Sequence, residues 1–459
     1  MAVHSKRNGA PMPTQALPER NRVARRASLA AAVGTAIEYY DYAIYGYLAV
    51  VLAPLFFPAD DGLIGILSTL GVVATGSLIR PIGGLFFGRL GDRRGRKAVL
   101  MTTVTLMGVA TVLTGLLPTY ASIGVAAPIL LTVLRLLQGF SAGGEVGGAA
   151  SLSTESAPTR RRGLFGSATS IGISLGLAGA AATVGTLSAV MSAGQLSSWG
   201  WRVPFLIAAP LLVAAVLYRM RVEDSPLFVQ MAKDAVPPKA PVTEVLRDHK
   251  ASVFRVVGIA YSTMTTGGIA SVYLVVHLSA VLRYPLAGAL WLVVLIVLMP
   301  LAVIPWAGAL SDHFGRRRVL MGGMVGFLVL AVPCFWVMQQ GSLALAVIAA
   351  LILNLPFSVQ QGVIYTLYSE LFPTRVRYTG VSLGFNIGGV IGTGLVSLVA
   401  TSLVALTGAT IAPAFYIIFA AVIGLIIIGT MRETSQDDME FAQQPRADSS
   451  PIPATETQA

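Results

Sequence analysis

The sequence contains few charged residues and almost no cysteine. Only 12% of its 459 residues are Asp, Glu, Lys or Arg, and its one cysteine, Cys334, lies in an apolar run. Soluble domains carry about 25% charged residues, so a chain that is 55% hydrophobic is predicted to be an integral membrane protein. A single cysteine excludes an intrachain disulfide framework, and Cys334 is interpreted as a small buried hydrophobe.

The sequence also lacks the patterns that would indicate bound nucleotide, metal or nucleic acid. It contains no Gly-x-x-x-x-Gly-Lys-Ser/Thr loop, no Ser/His/Asp arrangement and no metal-ligand cluster, which argues against an ATP-driven pump, an enzyme and a resident cofactor. The net charge of +11 lies in short loops without interleaved aromatic residues. We therefore expect the lipid bilayer, and not nucleic acid, to be the partner of these charges.

Long apolar segments dominate the chain and predict an all-α membrane protein. Twelve of them reach or approach the roughly 20 residues needed to span a bilayer, and unbroken apolar runs indicate helices rather than a β-barrel. The predicted spans are 29–56, 64–88, 98–117, 122–151, 164–191, 201–219, 253–281, 285–309, 319–338, 342–370, 378–404 and 411–430. The first is too long for a signal peptide and is interpreted as a membrane helix.

Two internal repeats divide these helices into equivalent halves. The turn Gly88–Met101 recurs as Gly308–Met321, with eight of fourteen positions identical at an offset of 220 residues. The pattern Glu-x-x-Pro-Thr-Arg-x-Arg occurs at 155–162 and again at 370–377. Repeats at nearly one offset predict two pseudo-symmetric six-helix bundles around a central cavity.

The distribution of basic residues predicts the orientation and the domain boundaries. Of 32 Lys and Arg residues, only Arg202 and Arg283 fall on the side opposite the termini, and Arg80 and Arg135 lie within helices. By the positive-inside rule both termini are expected to be cytoplasmic. We expect a disordered arm over 1–27, bundles over 28–219 and 253–431, a cytoplasmic linker over 220–252 with a short amphipathic helix near 242–250, and a disordered tail over 432–459.

Several motifs together resemble a known transporter family. Gly88–Lys97 reads Gly-x-Leu-x-Asp-Arg-x-Gly-Arg-Lys, and Arg135–Gly139 reads Arg-Leu-Leu-Gln-Gly. Further matches are Glu38–Tyr42, Gln138–Glu145, Ser198–Phe205 and Glu370–Arg375. The chain is thereby identified as a member of the major facilitator superfamily, and it resembles the bacterial metabolite:proton symporters for shikimate, citrate, 2-oxoglutarate and proline/betaine.

The resemblance implies a transporter of the bacterial inner membrane that imports a small organic acid or zwitterion together with protons by alternating access. We expect a monomer, because each chain holds its own cavity. The family's sugar porters carry motifs after the sixth and twelfth helices that are only echoed here, at 222–228 and 432–434, which disfavours a sugar substrate. A proton-coupled exporter of the same fold stays an alternative. A non-transporting sensor is a weaker one, because no signalling domain is present.

Four charged residues inside the predicted helices are candidates for proton coupling: Glu38 and Asp41 in the first helix, and Arg135 and Glu145 in the fourth. A charge within the bilayer costs at least roughly 2.5–3.5 kcal/mol, so each must be paired or face a wet cavity. Asp41, with Glu38 as the alternate, is expected to carry the proton beside Arg135, whose motif implies a role in proton transfer. The alternatives are a permanent Asp41–Arg135 ion pair, and a packing or gate contact for Glu145.

Polar side chains near the same depth are candidates for substrate binding. Buried amides and hydroxyls need partners, which a substrate can provide, although a tyrosine stripe is also typical of packing. The candidates are Tyr39, Tyr42, Tyr45, Arg135, Gln138, Asn354, Gln360, Gln361, Tyr365 and Asn386. His277, near the outer end of the seventh helix, is expected to be structural.

The repeated basic turns are expected to act as a conformational gate. Asp92 is placed to cap a facing helix, and Arg93 or Arg96 to reach Glu155; the second half repeats this arrangement with Asp312, Arg316 and Glu370. The gate set also includes Gly88, Gly95 and Gly315. The alternative is that these turns serve only as a topology signal.

Overall fold

The computed structural model describes residues 17–58, 62–234, 241–274, 277–283, 286–394, 396–437 and 439. In this part of the chain every regular element is helical, and none is a strand. The all-helical prediction is therefore confirmed. The ends of the predicted arm and tail, 1–16 and 440–459, lie outside the described residues.

The first half contains six long helices. Their bounds are α1 Leu17–Tyr47, α2 Gly62–Arg94, α3 Arg96–Leu116, α4 Ala126–Glu155, α5 Ala168–Val190 and α6 Arg202–Met220. Short helices follow α1, at Ala49–Phe56, and precede α5, at Arg162–Gly166.

The second half repeats the series. Its helices are α7 Lys250–Gly268, α8 Leu286–Phe314, α9 Arg316–Met338, α10 Leu343–Glu370, α11 Arg377–Gly394 and α12 Ala412–Gly429. A π-helical turn, Ile269–Tyr273, extends α7, and a further helix, Val396–Thr407, follows α11.

One glycine separates the helices of each repeated turn. α2 and α3 are divided by Gly95, with φ 101° and ψ 155°, and α8 and α9 by Gly315, with φ 96° and ψ 153°. Only glycine adopts this backbone region without strain, so its position determines where one helix ends and the next begins. The chain then reverses direction between two apolar helices, as the repeat predicts.

The helices pack as two bundles that meet along α2, α4, α5, α8, α10 and α11. Within the first half α1 packs on α5 and α2 on α4; within the second, α7 packs on α11 and α9 on α10. Across the halves α2 contacts α11, and α5 contacts α8. The two-bundle organisation therefore agrees with the sequence repeat.

Outward-facing side chains are apolar, as a lipid environment requires. Val213, Phe415 and Ile426 are among the large hydrophobic residues that remain exposed on the bundle. Counting only the described residues, nine helices are long and apolar enough to cross a membrane. Lipid, rather than water, is the medium in which such a surface is stable.

The ends of the chain and the linker differ from the prediction. α1 begins at Leu17, and Ala24 and Ala27 are buried, so the disordered arm predicted to reach residue 27 is wrong over 17–27. The linker forms two helices, Pro226–Asp234 and Pro241–Asp248, the second close to the predicted one. The predicted disorder of the tail is also wrong at 433–437 and at 439, because Glu433, Asp437 and Met439 make hydrogen bonds to the two halves.

Candidate functional site

A small cavity in the first half brings together most of the charged residues predicted at depth. It is lined by Glu38, Asp41 and Tyr42 from α1, Arg80 from α2, Met107 from α3, and Arg135 and Gln138 from α4, with Gly76, Gly139 and Ala142 completing the wall. At about 1.5 Å per residue, Asp41 lies roughly 18 Å along the helix from residue 29, which places it near the middle of a bilayer.

Asp41 is enclosed by three side chains that neutralise or satisfy its carboxylate. Its Oδ1 accepts hydrogen bonds from Thr111 Oγ1 at 2.7 Å and Gln138 Nε2 at 2.9 Å. Its Oδ2 lies 3.5 Å from Arg135 Nη1. All four side chains belong to the first half, so the predicted Asp41–Arg135 pair sits inside one bundle.

Glu38 makes a different pair, with an arginine that sequence reasoning had placed in a helix but not in the site. Its Oε1 lies 3.0 Å from Arg80 Nη2, and the Glu38 side chain is fully buried while that of Arg80 is 15% exposed. Within the described residues neither Glu38 oxygen accepts a further hydrogen bond. An arginine inside an apolar helix was the available signal, because such a charge requires a partner.

The tyrosines of α1 surround these two pairs. The Tyr42 ring lies 5.4 Å from both the Arg80 and the Arg135 guanidinium carbons, and the Tyr45 ring lies 5.0 Å from Arg135. Tyr39 lies beside Arg80 and beside Tyr365 of α10. Aromatic faces at these distances attract cations, so the stripe contributes electrostatically as well as by packing.

Glu145 lies apart from the cavity, within the α3, α4 and α6 contact. It forms a close ion pair with Arg219, a second oxygen lies 3.3 Å from Arg219 Nη1, and Thr103 Oγ1 donates to it at 2.8 Å. Both charged side chains are buried. This enclosure favours the packing alternative for Glu145 over a coupling role.

The polar residues predicted in the second half do not converge on that cavity. Asn354 Nδ2 donates to the Ala270 carbonyl at 2.8 Å, and Gln360 Nε2 contacts Met324 Sδ at 3.3 Å. The Asn386 amide instead crosses to the first half, donating to the Gly143 carbonyl at 2.8 Å.

Gln361 and Tyr365 lie on α10 along the boundary between the halves. The Gln361 carbonyl accepts from Ser170 of α5, and Tyr365 packs edge-on against Tyr368 with ring centroids 6.0 Å apart. Counting described residues only, Gln361 Oε1 has no hydrogen-bond partner, whereas Tyr365 lies beside Tyr39 of α1. Asn354 Oδ1 and Gln360 Oε1 likewise lack a partner among the described residues, so free acceptor atoms in the second half are not confined to the interface.

His277 is buried in an aromatic setting, in keeping with the expected structural role. Its ring centroid lies 4.9 Å from that of Phe335 and 5.8 Å from that of Tyr273. It is remote in sequence and contact from the charged cavity, so we assign it to packing.

A second cluster, at the end of the molecule formed by the repeated basic turns, joins the two halves; we call this end the basic end. Asp92 accepts hydrogen bonds from the backbone N–H groups of Tyr378 at 3.1 Å and Thr379 at 2.9 Å, at the start of α11. A Cβ on Gly88 would lie 2.7 Å from Thr379 Cα, so glycine is required for this approach.

Glu155 is the central anion of the basic end. Its Oε1 lies 3.1 Å from Arg96 Nη2 and 2.7 Å from Arg377 Nη1 of the other half, and Ser225 donates to its second oxygen. Arg96 thus makes the predicted contact, whereas Arg93 is half-buried at the end of α2. Arg377 was missed, although it occupies the last position of the second repeated motif.

The second half mirrors this arrangement. Asp312 accepts from the backbone N–H groups of Gly163 at 2.8 Å and Leu164 at 3.0 Å, in the short helix before α5. Arg316 links two carboxylates: its Nη1 lies 2.8 Å from Asp312 Oδ1, and its Nη2 lies 3.1 Å from Glu370 Oε1. Each repeated aspartate therefore caps a helix of the opposite bundle, where a carboxylate is favoured by the exposed N–H groups.

Two acidic residues outside the repeats cap the helices that follow the glycine turns. Asp224 Oδ1 accepts from the Arg96 backbone N–H at 2.9 Å, and Glu433 Oε1 accepts from that of Arg316 at 2.7 Å. Burial raises the pKa of Asp224, against the opposing effect of its backbone hydrogen bonds. Asp224 and Glu433 lie in 222–228 and 432–434, the two stretches that partly match sugar-porter motifs. That partial match was the sequence signal for these caps.

Replacing Gly95 with Ala is expected to destabilise the fold by about 1–3 kcal/mol from backbone strain alone. The added Cβ would also clash with Asp224 Oδ2 and displace the cap. We expect a lower Tm in thermal unfolding of the detergent-solubilised protein.

Gly124→Ala provides the control for that prediction. Gly124 also has a positive φ, 57°, but a Cβ added there would meet no atom within 4 Å, so only backbone strain applies. Gly95→Ala should lower Tm more than Gly124→Ala, and adding Asp224→Ala to Gly95→Ala should cost little more. Equal effects of the two glycine changes would contradict the proposed contact.

Within the described residues, no group of three or more His, Cys, Asp or Glu side chains could hold a metal ion.

Comparison with known proteins gives one consistent result. Residues 31–393 match the model of the Major Facilitator Superfamily. The chain is 34% identical to the proline/betaine transporter of Escherichia coli K12, over 92% of this chain and 86% of that one. It is also 34% identical to the shikimate transporter of the same strain, over 83% of this chain and 88% of that one.

The fold has a solved counterpart as well. The proton:xylose symporter XylE bound to 6-bromo-6-deoxy-D-glucose superposes with a TM-score of 0.75 at 18% identity, covering 92% of this chain and 99% of that one. At this identity the likeness concerns the fold. Together with the family match over most of the sequence, it shows that the chain belongs to the Major Facilitator Superfamily and is a membrane transporter, not an enzyme.

Proposed function

We propose that this protein is a proton-coupled symporter that imports a small organic acid or zwitterion by alternating access. The observation that carries the proposal is the buried Asp41 carboxylate, 3.5 Å from Arg135 and hydrogen-bonded to Thr111 and Gln138. A carboxylate at this depth is costly even when it is paired, and an apolar side chain would be stable there without a partner, so its presence supports a role in transport.

Proton coupling follows from the charge balance of this pair. When Asp41 is ionised, it neutralises Arg135 and holds Gln138 through a hydrogen bond. When Asp41 is protonated, the positive charge of Arg135 is uncompensated, and an anionic group becomes the favourable partner. Proton binding and the binding of a negatively charged group thus support each other, which is thermodynamic coupling.

Alternating access is supported by the way the halves meet. Hydrogen bonds between the two halves, counted among the described residues, begin at the basic end. They extend inward as far as the bonds made by Asn386 and Ser170. Opening the basic end requires Asp92 and Asp312 to release the opposite bundle. We assign the basic end to the cytoplasm, with both termini there, because its Arg and Lys residues follow the positive-inside rule.

The relatives support the substrate class. Their names specify proline, betaine and shikimate, which are small polar solutes that carry a carboxylate. We propose a solute of this class for the present chain, with the monomer as the transporting unit because one chain contains both bundles and the cavity.

Asp41→Asn tests the proposal in proteoliposomes. We expect substrate uptake by the variant to lose its response to an imposed pH gradient, because Asn cannot bind and release the proton. Radiolabelled proline, glycine betaine and shikimate serve as the uptake probes.

Asp248→Asn is the matched control, because the Asp248 carboxylate is 57% exposed and lies outside the bundles. It should respond to the gradient like the wild type. Full gradient-driven uptake by Asp41→Asn would overturn the assignment of Asp41.

A further inference from the structure

We infer that Glu38 and Arg80 form the subsite that receives the two charged ends of a zwitterionic solute. The solute's carboxylate would bind Arg80, and its ammonium group would bind Glu38 and the tyrosine faces. The inference rests on the proposed transport function and adds to it a substrate class and the residues that select it.

The first argument is the contrast between the two buried pairs. Asp41 accepts two hydrogen bonds in addition to its contact with Arg135. Glu38, by contrast, has only Arg80, 3.0 Å away, and neither of its oxygens accepts a hydrogen bond from any residue that the structure describes. A buried carboxylate with one cationic partner can therefore accept a second cation, through hydrogen bonds from an ammonium group with N–H donors or through charge alone from a quaternary one.

The second argument is position. Glu38 and Arg80 line the cavity, and the Arg80 side chain is partly exposed, whereas those of Asp41 and Arg135 are each 4% exposed. Tyr39 lies between this pair and Tyr365 of the other half. A ligand at Glu38 and Arg80 would therefore lie where the two bundles meet, as transport requires.

The third argument is aromatic. The Tyr42 ring already lies 5.4 Å from the Arg80 guanidinium, and Tyr39 lies beside the same arginine. Aromatic faces beside a carboxylate are suited to quaternary or secondary ammonium groups, which donate few or no hydrogen bonds. The tyrosine faces therefore provide contacts for the ammonium group of a zwitterion, and a simple carboxylic acid of equal size has no such group to place there.

Charge balance then determines selectivity. The Glu38–Arg80 pair is neutral, and separating it around a zwitterion forms two new ion pairs without adding net charge to the low-dielectric site. A monoanion would pair with Arg80 but leave Glu38 unneutralised, which is unfavourable in a buried site. The ionised pair should therefore select zwitterions against monoanions of the same shape.

Two solutes with nearly the same shape test this directly. Glycine betaine is a zwitterion, and 3,3-dimethylbutanoate is its monoanionic carbon counterpart. Binding to the purified full-length protein in nanodiscs would be measured by titration calorimetry, without any proton gradient. We expect the wild type to bind glycine betaine at least about tenfold more tightly.

Glu38→Gln should reverse this preference. Removing the negative charge should weaken betaine binding about tenfold or more and strengthen 3,3-dimethylbutanoate binding by a similar factor. Glu38→Asp keeps the charge and should keep the preference for betaine. Glu223→Gln, at an exposed residue of the linker, is the matched control and should leave both affinities unchanged.

The outcomes separate this inference from the transport proposal. Equal binding of the two solutes by the wild type, no binding of either betaine or proline, or an unchanged preference in Glu38→Gln would each overturn the zwitterion subsite. If Glu38→Gln does not fold, the wild-type comparison and Glu38→Asp still decide the matter. The symport mechanism is tested separately, by gradient-driven uptake in the wild type and its loss in Asp41→Asn, and that test does not depend on these affinities.

Discussion

Glu155→Gln is expected to open the basic end and to abolish most transport. The Glu155 carboxylate is buried and accepts from Arg96 at 3.1 Å, from Arg377 at 2.7 Å and from Ser225. Glutamine would remove the anion that Arg377 pairs with across the interface, whereas Arg96 would keep Asp92 at 3.5 Å. Removing one partner of a buried ion pair costs roughly 3–5 kcal/mol, which here falls on the contact that joins the halves.

Thiol labelling can measure that opening. Ser382, buried on α11 next to Gly147 of α4, lies in the interface that would separate. A Ser382→Cys reporter in a Cys334→Ala background should react slowly with a maleimide in the wild-type context and much faster with Glu155→Gln. A cost of about 3 kcal/mol specific to the closed state would shift the open population more than a hundredfold.

Glu370→Gln separates opening from general damage. Glu370 is also buried, but its ion pair is with Arg316 of the same half, at 3.1 Å. The two variants should lower Tm similarly, whereas only Glu155→Gln should accelerate labelling strongly. Slow labelling of the Glu155→Gln reporter would contradict its role as the link between the halves.

Glu145→Gln is expected to destabilise the first bundle by roughly 3–5 kcal/mol without abolishing proton coupling. Arg219, which is 3% exposed, would lose its buried counterion, and Thr103 would lose a charged acceptor. The measurements are Tm in detergent and gradient-driven uptake normalised to folded protein. We expect a large fall in Tm and a preserved response to the pH gradient.

A double variant checks the physical reason for that loss. Replacing Glu145 with Leu and Arg219 with Met removes both charges and fills the site with apolar groups of similar size. Such replacements of a buried pair are often neutral or stabilising, so Tm should recover relative to Glu145→Gln. Loss of coupling with an unchanged Tm in Glu145→Gln would instead show that Glu145 takes part in proton transfer.

Local patterns were sufficient to predict the helices and the duplicated plan. A run of about 20 apolar residues can satisfy its backbone in lipid only as a helix, so each span followed from a short window of sequence. The turns at Gly95 and Gly315 were predictable for the same reason, because the motif repeats and glycine alone tolerates their φ values of 101° and 96°.

Long-range pairing was decided by the tertiary structure. The sequence by itself determined that Glu38, Asp41 and Arg135 lie at depth, since each stands within an apolar helix. The shared depth also placed Asp41 beside Arg135, as the structure has them, but it did not determine that Glu38 takes Arg80, 42 residues away on α2. Helix periodicity gives the face on which a side chain lies, whereas its partner depends on how neighbouring helices are rotated and shifted.

The basic end shows the same division. The repeated motifs predicted that Asp92 would cap a facing helix and that Arg93 or Arg96 would reach Glu155, because these residues flank one short turn and the end of a nearby helix. Arg377 and the caps at Asp224 and Glu433 depend on segments more than 100 residues away in sequence from the groups they contact. Only the packing of the two bundles and the return of the linker and tail bring them together, since buried charges and open helix ends must be satisfied wherever the fold places them.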